Sequence, residues 1–322
     1  MANLKELRLR IGSVKNTRKI TSAMSQIATA RLRRAQNTAL AARPYGERLK
    51  EVVAHLIGGI DPAERSSAHP LLEERPATSS KGGDGGGNHT LYIAMTADKG
   101  LCGGFNGNIH RKVLATLRAD REAGHKASLV TIGKKAASFF SSDEGLLGTH
   151  PAPTLATIVE LSKAVAADAT GRFLGTADGM TDEERPNKVV LFYNHFVSVL
   201  TQEVTPNQLC PLQPALPEGE SEGGSGADSE GASAFLREPI FEPGRGEILE
   251  HLVPVAIESM LQQAMFNSVA AEVAARRVAM DAATDNASEL IADLTLEYNR
   301  ERQAAITSEL MEIIGGAEAL KG

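Results

Sequence analysis

The chain contains no tryptophan, and aromatic residues make up only 4% of its 322 residues. So few rings make a large aromatic-lined ligand pocket unexpected. Cysteine is nearly absent too, with only Cys102 and Cys210. Two thiols without metal-ligand spacing fit a reducing compartment rather than a disulfide framework. The eight histidines form no HxxxH or HExxH pattern, so no metal site is expected. No apolar run reaches the roughly 18 residues of a membrane-spanning helix. The start is charged from Lys5 onward and lacks the apolar stretch of a secretory signal. Its Arg-rich, acid-poor character imitates a mitochondrial transit peptide, but it continues far too long without a cleavage-like break.

Proline is missing where helices would form. None precedes Pro44, and after residue 246 only Pro254 occurs. Residues 3–57 and 246–320 each read as one long helix, and the two can lie side by side in space. In the first, Leu4, Leu7, Ile11 and Val14 follow the 3–4 spacing of a coiled-coil seam. Ile20, Met24, Ile27 and Ala28 continue the stripe in a shifted phase. Gly12 costs about 1 kcal/mol relative to alanine in a helix interior, so that stretch needs a partner. In the second, Ile257, Met260, Leu261, Ala264 and Met265 begin a stripe. Val269, Val273, Met280, Ala283, Ala287, Leu290, Ile291 and Leu294 carry it on, and Ile306, Leu310, Ile313, Ile314 and Leu320 complete it. The lengths come to roughly 80 and 110 Å at 1.5 Å per residue. Typical globular helices have about 11–12 residues, so neither end belongs to an ordinary globular core.

A net charge of −6 hides an uneven distribution. Residues 1–43 carry Lys5, Arg8, Arg10, Lys15, Arg18, Lys19, Arg31, Arg33, Arg34 and Arg43 against a single acid, Glu6. A basic stripe on a long helix calls for an acidic protein partner, a membrane surface or nucleic acid.

The middle differs. Residues 61–89, with SSKGGDGGGNH, read as a flexible linker. Then LYIAMTA (91–97) and ASLVTIG (127–133) read as strands, and residues 108–124 and 154–174 as helices; KKAASFF starts a short helix. NKVVLFYNHF (187–196) and VSVLTQEV (197–204) form a strand pair or one bent strand. This alternation indicates an α/β domain with a mostly parallel sheet covered by helices. Residues 217–237 are an acidic, Gly/Ser-rich insertion, read as solvated. The expected organisation is therefore a helix at 1–60, a linker at 61–89, an α/β domain at 90–216, the insertion, and a second helix at 238–322.

One segment invites an enzymatic reading. ADKGLCGGFNGN (97–108) follows a strand and precedes a helix, the setting of a phosphate cradle. Gly100, Gly103, Gly104 and Gly107 do not spell GxGxxG, however, and no GK[ST] follows. Cys102 has no evident histidine partner for nucleophilic chemistry. The segment reads as a glycine-shaped turn at a sheet edge.

These residues resemble the gamma-subunit family of F-type ATP synthases over nearly the whole chain. The resemblance rests on LKELRLRIGSVKNTRKITSAM with ARLRRAQ, on TADKGLCGGFN, and on YNHFVSVLTQEVTPNQLCPL. Its strongest part is AMDAATDNASELIADLTLEYNRERQAAITSELMEIIGGAEAL (279–320). There are departures: MSQIATA (24–30) stands where the family more often has MKMVAAA, and Arg277 where a methionine is common. The insertion lies near the place of a redox-active cysteine pair in chloroplast members but has no cysteine, so dithiol control is not expected.

The resemblance implies a Rossmann-like α/β domain plus an antiparallel coiled coil of the two terminal helices. It implies a non-catalytic rotor stalk without cofactors, inside a hexamer of three alpha and three beta subunits. The foot would rest on the c-subunit ring beside epsilon, at the cytoplasmic face of a bacterial inner membrane. Met24, Arg31, Arg33 and Arg34 would lie near an acidic mobile segment of beta. Arg276, Arg302, Gln303, Thr307 and Glu309 would meet the alpha/beta collar, and Glu242 the ring loops. Arg31, Arg33 and Arg34 also read as a solvated helix face, Arg302 and Gln303 as surface partners of Glu297 or Glu301, and Met24 as a seam residue. A nucleotide-binding enzyme and a nucleic-acid-binding or scaffolding coiled coil remain alternatives, the latter disfavoured by acidic charge and scarce aromatics.

Overall fold

A computed structural model of the chain describes residues 2–61, 64–75, 88–177, 185–213, 242 and 244–319. Both long helices are present. Helix α1 spans Ala2–Gly58 (57 residues) and helix α6 spans Arg245–Ala319 (75 residues). Each runs through a proline, Pro44 or Pro254. An interior proline removes a backbone hydrogen bond and costs about 3 kcal/mol or more, so packing must compensate. Around Pro254 it does, because Val253, Ala256 and Ile257 are buried. The chain divides into two compact units. One, the helix-pair unit, comprises Met1–Leu32, Leu101–Gly103 and Val273–Gly322; the other, the α/β unit, comprises Arg33–Gly100 and Gly104–Glu272.

The α/β unit is built on a five-stranded sheet. The strands are β1 (His89–Met95), β2 (Lys126–Ile132), β3 (Leu146–His150), β4 (Lys188–Phe196) and β5 (Gln202–Cys210), in the spatial order β3-β2-β1-β4-β5. All neighbours are parallel except β4 and β5, which pair antiparallel. Strand β1 is central and buried along its whole length, as a strand covered on both faces must be. Side chains alternate between faces. Leu91, Ile93 and Met95 join one core with Val130, Ile132, Val189, Leu191 and Phe173 of helix α5 (Ile158–Leu174). The same core takes Val53, Leu56 and Ile57 from α1 and Leu249, Val253, Ile257, Leu261 and Met265 from α6. Tyr92 and Ala94 face the other core, with Ile109, Val113 and Leu117 of helix α3 (Phe105–Glu122) and Ala136 of helix α4 (Lys134–Phe139).

Several sequence expectations shift. The second member of the β4–β5 pair is 202–210, not 197–204, and Pro206 is tolerated because β5 is an edge strand. Strand β3 was not foreseen: its five residues alternate between half-buried and exposed and carry only two leucines and no aromatic or valine. Helix α5 starts four residues late, because Thr154 and Thr157 bond each other and form a local turn ahead of it. The front of the expected linker is ordered. It holds a short helix α2 (Arg65–Ala68) and a 3-10 turn at Pro70–Leu72 that buries Leu71 and Leu72 in the core. The glycine-rich stretch 76–87 and the insertion at 217–237 lie outside the described residues.

In the helix-pair unit the two long helices are antiparallel. Thr21 meets Thr284 across the seam at 2.7 Å, and Ser25 meets Asp281 at 2.5 Å, so α6 descends as α1 ascends. The seam of α1 is Leu7, Thr21, Ser25, Ala28 and Leu32, with Ile11 and Val14 half-buried. Ile20 and Ile27, expected in it, are 60% and 54% exposed. The 4-3-4 steps from Thr21 to Leu32 keep one face of the helix, and Ile20 and Ile27 lie on another. On α6, Val273, Met280, Ala287 and Leu294 are buried as expected, Ala274 is buried as well, and Leu290 is exposed.

Candidate partner-binding surface

The segment that looked most like a chemical site is a structural corner. Residues 97–104 link β1 to α3 at the end of the central strand, so the turn is not at a sheet edge. Asn106 accepts the Ala97 amide with its Oδ1, and Asp98 accepts the Lys134 amide at 2.9 Å. Leu101 and Gly103 have positive φ, 62° and 56°. That conformation accounts for glycine at 103 but not for leucine at 101. Cys102 is buried. The other thiol, Cys210, is buried too, and there burial pushes the pKa up to about 12, where it is inert as a nucleophile. The polar pairs of the α/β unit are structural as well. Asp168 bridges His150 at 3.0 Å and Arg172 at 2.7 Å, and Arg121 grips Asp143 through both terminal nitrogens at 2.7 and 3.0 Å.

What the molecule offers instead is helix surface. In the helix-pair unit, Met24 is half-buried beside the seam, Arg31 is exposed and Arg276 is partly buried. Arg302, Gln303, Thr307 and Glu309 are all exposed on the last turns of α6. Thr307 donates to the Gln303 backbone carbonyl at 2.9 Å. These polar residues alternate with Ile306, Leu310, Ile313 and Ile314. The sequence reading had those four closing the seam, yet they are 49–68% exposed. The register explains the difference. Stepping from the Ser25–Asp281 contact, α1 runs out at Ala2 opposite about residue 304 of α6, since both helices rise equally per residue. Beyond that point α1 has nothing left to cover them. Leu296 and Met311 are exposed as well.

In the α/β unit, Arg33 and Arg34 are exposed on α1, and Glu242 is exposed just ahead of α6. The expected site residues therefore do not converge on one pocket. All but Glu242, which precedes α6, lie on the two long helices. Sequence reading missed the polar seam residues Thr21, Ser25, Asp281 and Thr284. Their signal was present as small polar residues at seam spacing, masked by the stronger apolar character of neighbouring Ile20 and Ile27.

Comparison with known proteins agrees with this geometry. The family model described as ATP synthase matches residues 3–320. The ATP synthase gamma chain of Trichlorobacter lovleyi is 38% identical over 322 residues, covering all of both chains. That of Geotalea uraniireducens is 40% identical over 325 residues, again covering both completely. In fold, the chain resembles one in a cryo-EM structure of the Euglena gracilis mitochondrial ATP synthase in rotational state 3. There the TM-score is 0.58 at 18% identity, covering 99% of this chain and 95% of that one. Matched by the family model over residues 3–320 and end to end by these relatives, the chain belongs to the ATP synthase gamma-chain family.

Proposed function

We propose that this chain is the central rotor stalk of a proton-translocating ATP synthase, coupling rotation of the c-subunit ring to conformational change at catalytic sites on the beta subunits. One observation carries the mechanical reading. Towards its end helix α6 leaves Ile306, Leu310, Met311, Ile313 and Ile314 exposed, four of them on one face about 100° wide. An exposed apolar helix face of this kind marks a surface that a partner covers. A partner that grips by apolar contact holds the end without locking its orientation, because such contact is non-directional.

The chain itself supplies no catalytic group; ATP is made or split on beta. Its partners are three alpha and three beta subunits around one copy of this chain, with epsilon and the c-ring at the foot. Each orientation of an asymmetric helix pair presents a different surface to each beta subunit and so biases that subunit's open–closed equilibrium. Met24, Arg31, Arg33 and Arg34 are assigned to the contact with beta. Arg276, Arg302, Gln303, Thr307 and Glu309 are assigned to the alpha/beta collar and Glu242 to the c-ring. Their support is the family resemblance together with exposure of all but Met24 and Arg276. The chain is placed at the cytoplasmic face of a bacterial inner membrane, held there through the ring; no described helix is long and apolar enough to cross a membrane. The reading is tested by co-purification. A tagged chain should bring down alpha and beta in equal, threefold excess; its recovery alone or on nucleic acid would overturn it.

A further inference from the structure

The seam of the helix-pair unit changes character along its length. Between Leu7 and Ala28, the fully buried residues of α1 are Thr21 and Ser25. On the facing helix, between Met280 and Leu294, the fully buried residue is Ala287. Large apolar knobs set the register of most helix pairs, and between Val14 and Ala28 of α1 the only large apolar side chain at the seam is the half-buried Met24. In that interval the two helices are joined by hydrogen bonds. Ser25 Oγ donates to Asp281 Oδ1 at 2.5 Å. Thr21 and Thr284 hydroxyls are 2.7 Å apart. Thr284 lies 2.8 Å from the Met280 carbonyl and Thr21 3.1 Å from the Arg18 carbonyl, so whichever hydroxyl donates across the seam shares its one proton with its own helix. Arg277, one turn before Asp281 on the same helix, lies 3.7 Å from the other carboxylate oxygen.

We infer that Thr21, Ser25, Asp281 and Thr284 form a polar clamp that fixes the register of the two helices where apolar packing does not. An alanine-lined seam permits sliding, because a flat surface packs almost equally well in neighbouring registers. A hydroxyl–carboxylate bond does not permit it. Moving the helices one turn in one direction would place Asp281 level with Ala28, and the buried Ser25 hydroxyl would lose its acceptor. These are positioning residues: they touch no nucleotide and act by keeping every partner-facing side chain of one helix at a constant height relative to the other. The link to coupling rests on the rotor reading above; the link to register does not.

Two readouts separate these claims. Spin labels would be attached at Lys5→Cys and Asp285→Cys, both exposed and both in this unit, with the native cysteines buried. The distance between them is read by pulsed electron paramagnetic resonance in the purified complex. The parent should show one narrow distance. The Thr21→Val/Ser25→Ala pair should add a second population displaced by about 5.4 Å, one helical turn. Ser25→Ala alone should add a smaller one, and Asp281→Asn, which keeps the acceptor oxygen, should retain the single distance. In membrane vesicles, the ratio of proton pumping to ATP hydrolysis should fall about twofold or more in the double variant and be preserved in Asp281→Asn. A single unchanged distance in the double variant would overturn the clamp, as would Asp281→Asn behaving like Ser25→Ala. A second distance with an unchanged pumping ratio would leave the clamp standing and overturn its role in coupling.

Discussion

The two units of the molecule solve stability differently. The α/β unit closes its own core on both faces of a sheet, with Phe173, Leu56, Ile57, Leu91, Ile93, Ile109 and Leu129 all fully buried. The helix-pair unit buries alanines, hydroxyls and a few larger side chains, and leaves Leu296, Ile306, Leu310, Met311, Ile313 and Ile314 in the open. The first unit is organised around itself. The second is organised around something outside the chain, which is what a part gripped by partners requires. Substitutions should therefore act on folding in one unit and on assembly or coupling in the other.

The largest effect is expected at Phe173, fully buried with the Arg75 guanidinium 4.5 Å above its ring. Phe173→Ala should cost about 3–5 kcal/mol in urea denaturation of the full chain. Leu32→Ala, in the helix pair, should fall near the low end of the range for such truncations, about 2 kcal/mol, because small neighbours can close over the gap. Equal costs would break the comparison. Gly133→Ala comes next. Its φ of 93° is strained for any L side chain, and an added Cβ would sit 2.3 Å from the Thr96 carbonyl oxygen. A loss of about 1–3 kcal/mol is expected by the same measurement.

A pH series sharpens the contrast. Burial alone would raise the Asp168 pKa, but the His150 hydrogen bond and the Arg172 guanidinium outweigh it and hold it below the ordinary value. A carboxyl with a depressed folded pKa stabilises the fold above its unfolded pKa, near 4, and that contribution is lost as pH falls through the folded value. Asp168→Asn should cost about 1–3 kcal/mol at pH 7. It should also flatten the acid limb of the stability curve below about pH 4. An unchanged acid limb would mean that the His150–Asp168–Arg172 cluster contributes nothing to stability. The smallest effect on folding belongs to the exposed end of α6. Leu310→Ser with Ile313→Ser should change the stability of the free chain by no more than about 0.5 kcal/mol, while recovery of alpha and beta with the tagged chain drops several-fold. A large loss of stability with normal recovery would reverse the assignment of the two units.

Much of this was legible beforehand, for identifiable reasons. The long helices were visible because proline is scarce and apolar residues recur over dozens of positions, and sheet burial was visible in LYIAMTA and ASLVTIG. Strand β3 was not, since a five-residue edge strand with none of its residues fully buried carries almost no hydrophobic signal. Ile20 and Ile27 misled because hydrophobicity is a property of a residue, whereas burial also depends on helix phase, which drifts against a seven-residue repeat. The stripe from Ile306 to Ile314 was read correctly as apolar and wrongly as internal, because one chain's sequence does not say where its partner helix stops. The same limit applies to Arg302, Gln303, Thr307 and Glu309: their exposure follows from the fold, while the contacts assigned to them are part of the proposal.

The central claim is that this chain turns. It can be observed directly by immobilising the alpha–beta hexamer and attaching a bead to the chain through the exposed Lys112 side of α3 in the α/β unit. On addition of ATP, the account requires continuous rotation in one direction, in steps of about one third of a turn for three beta sites. A hexamer that hydrolyses ATP at full rate while the bead on this chain stays still would contradict it.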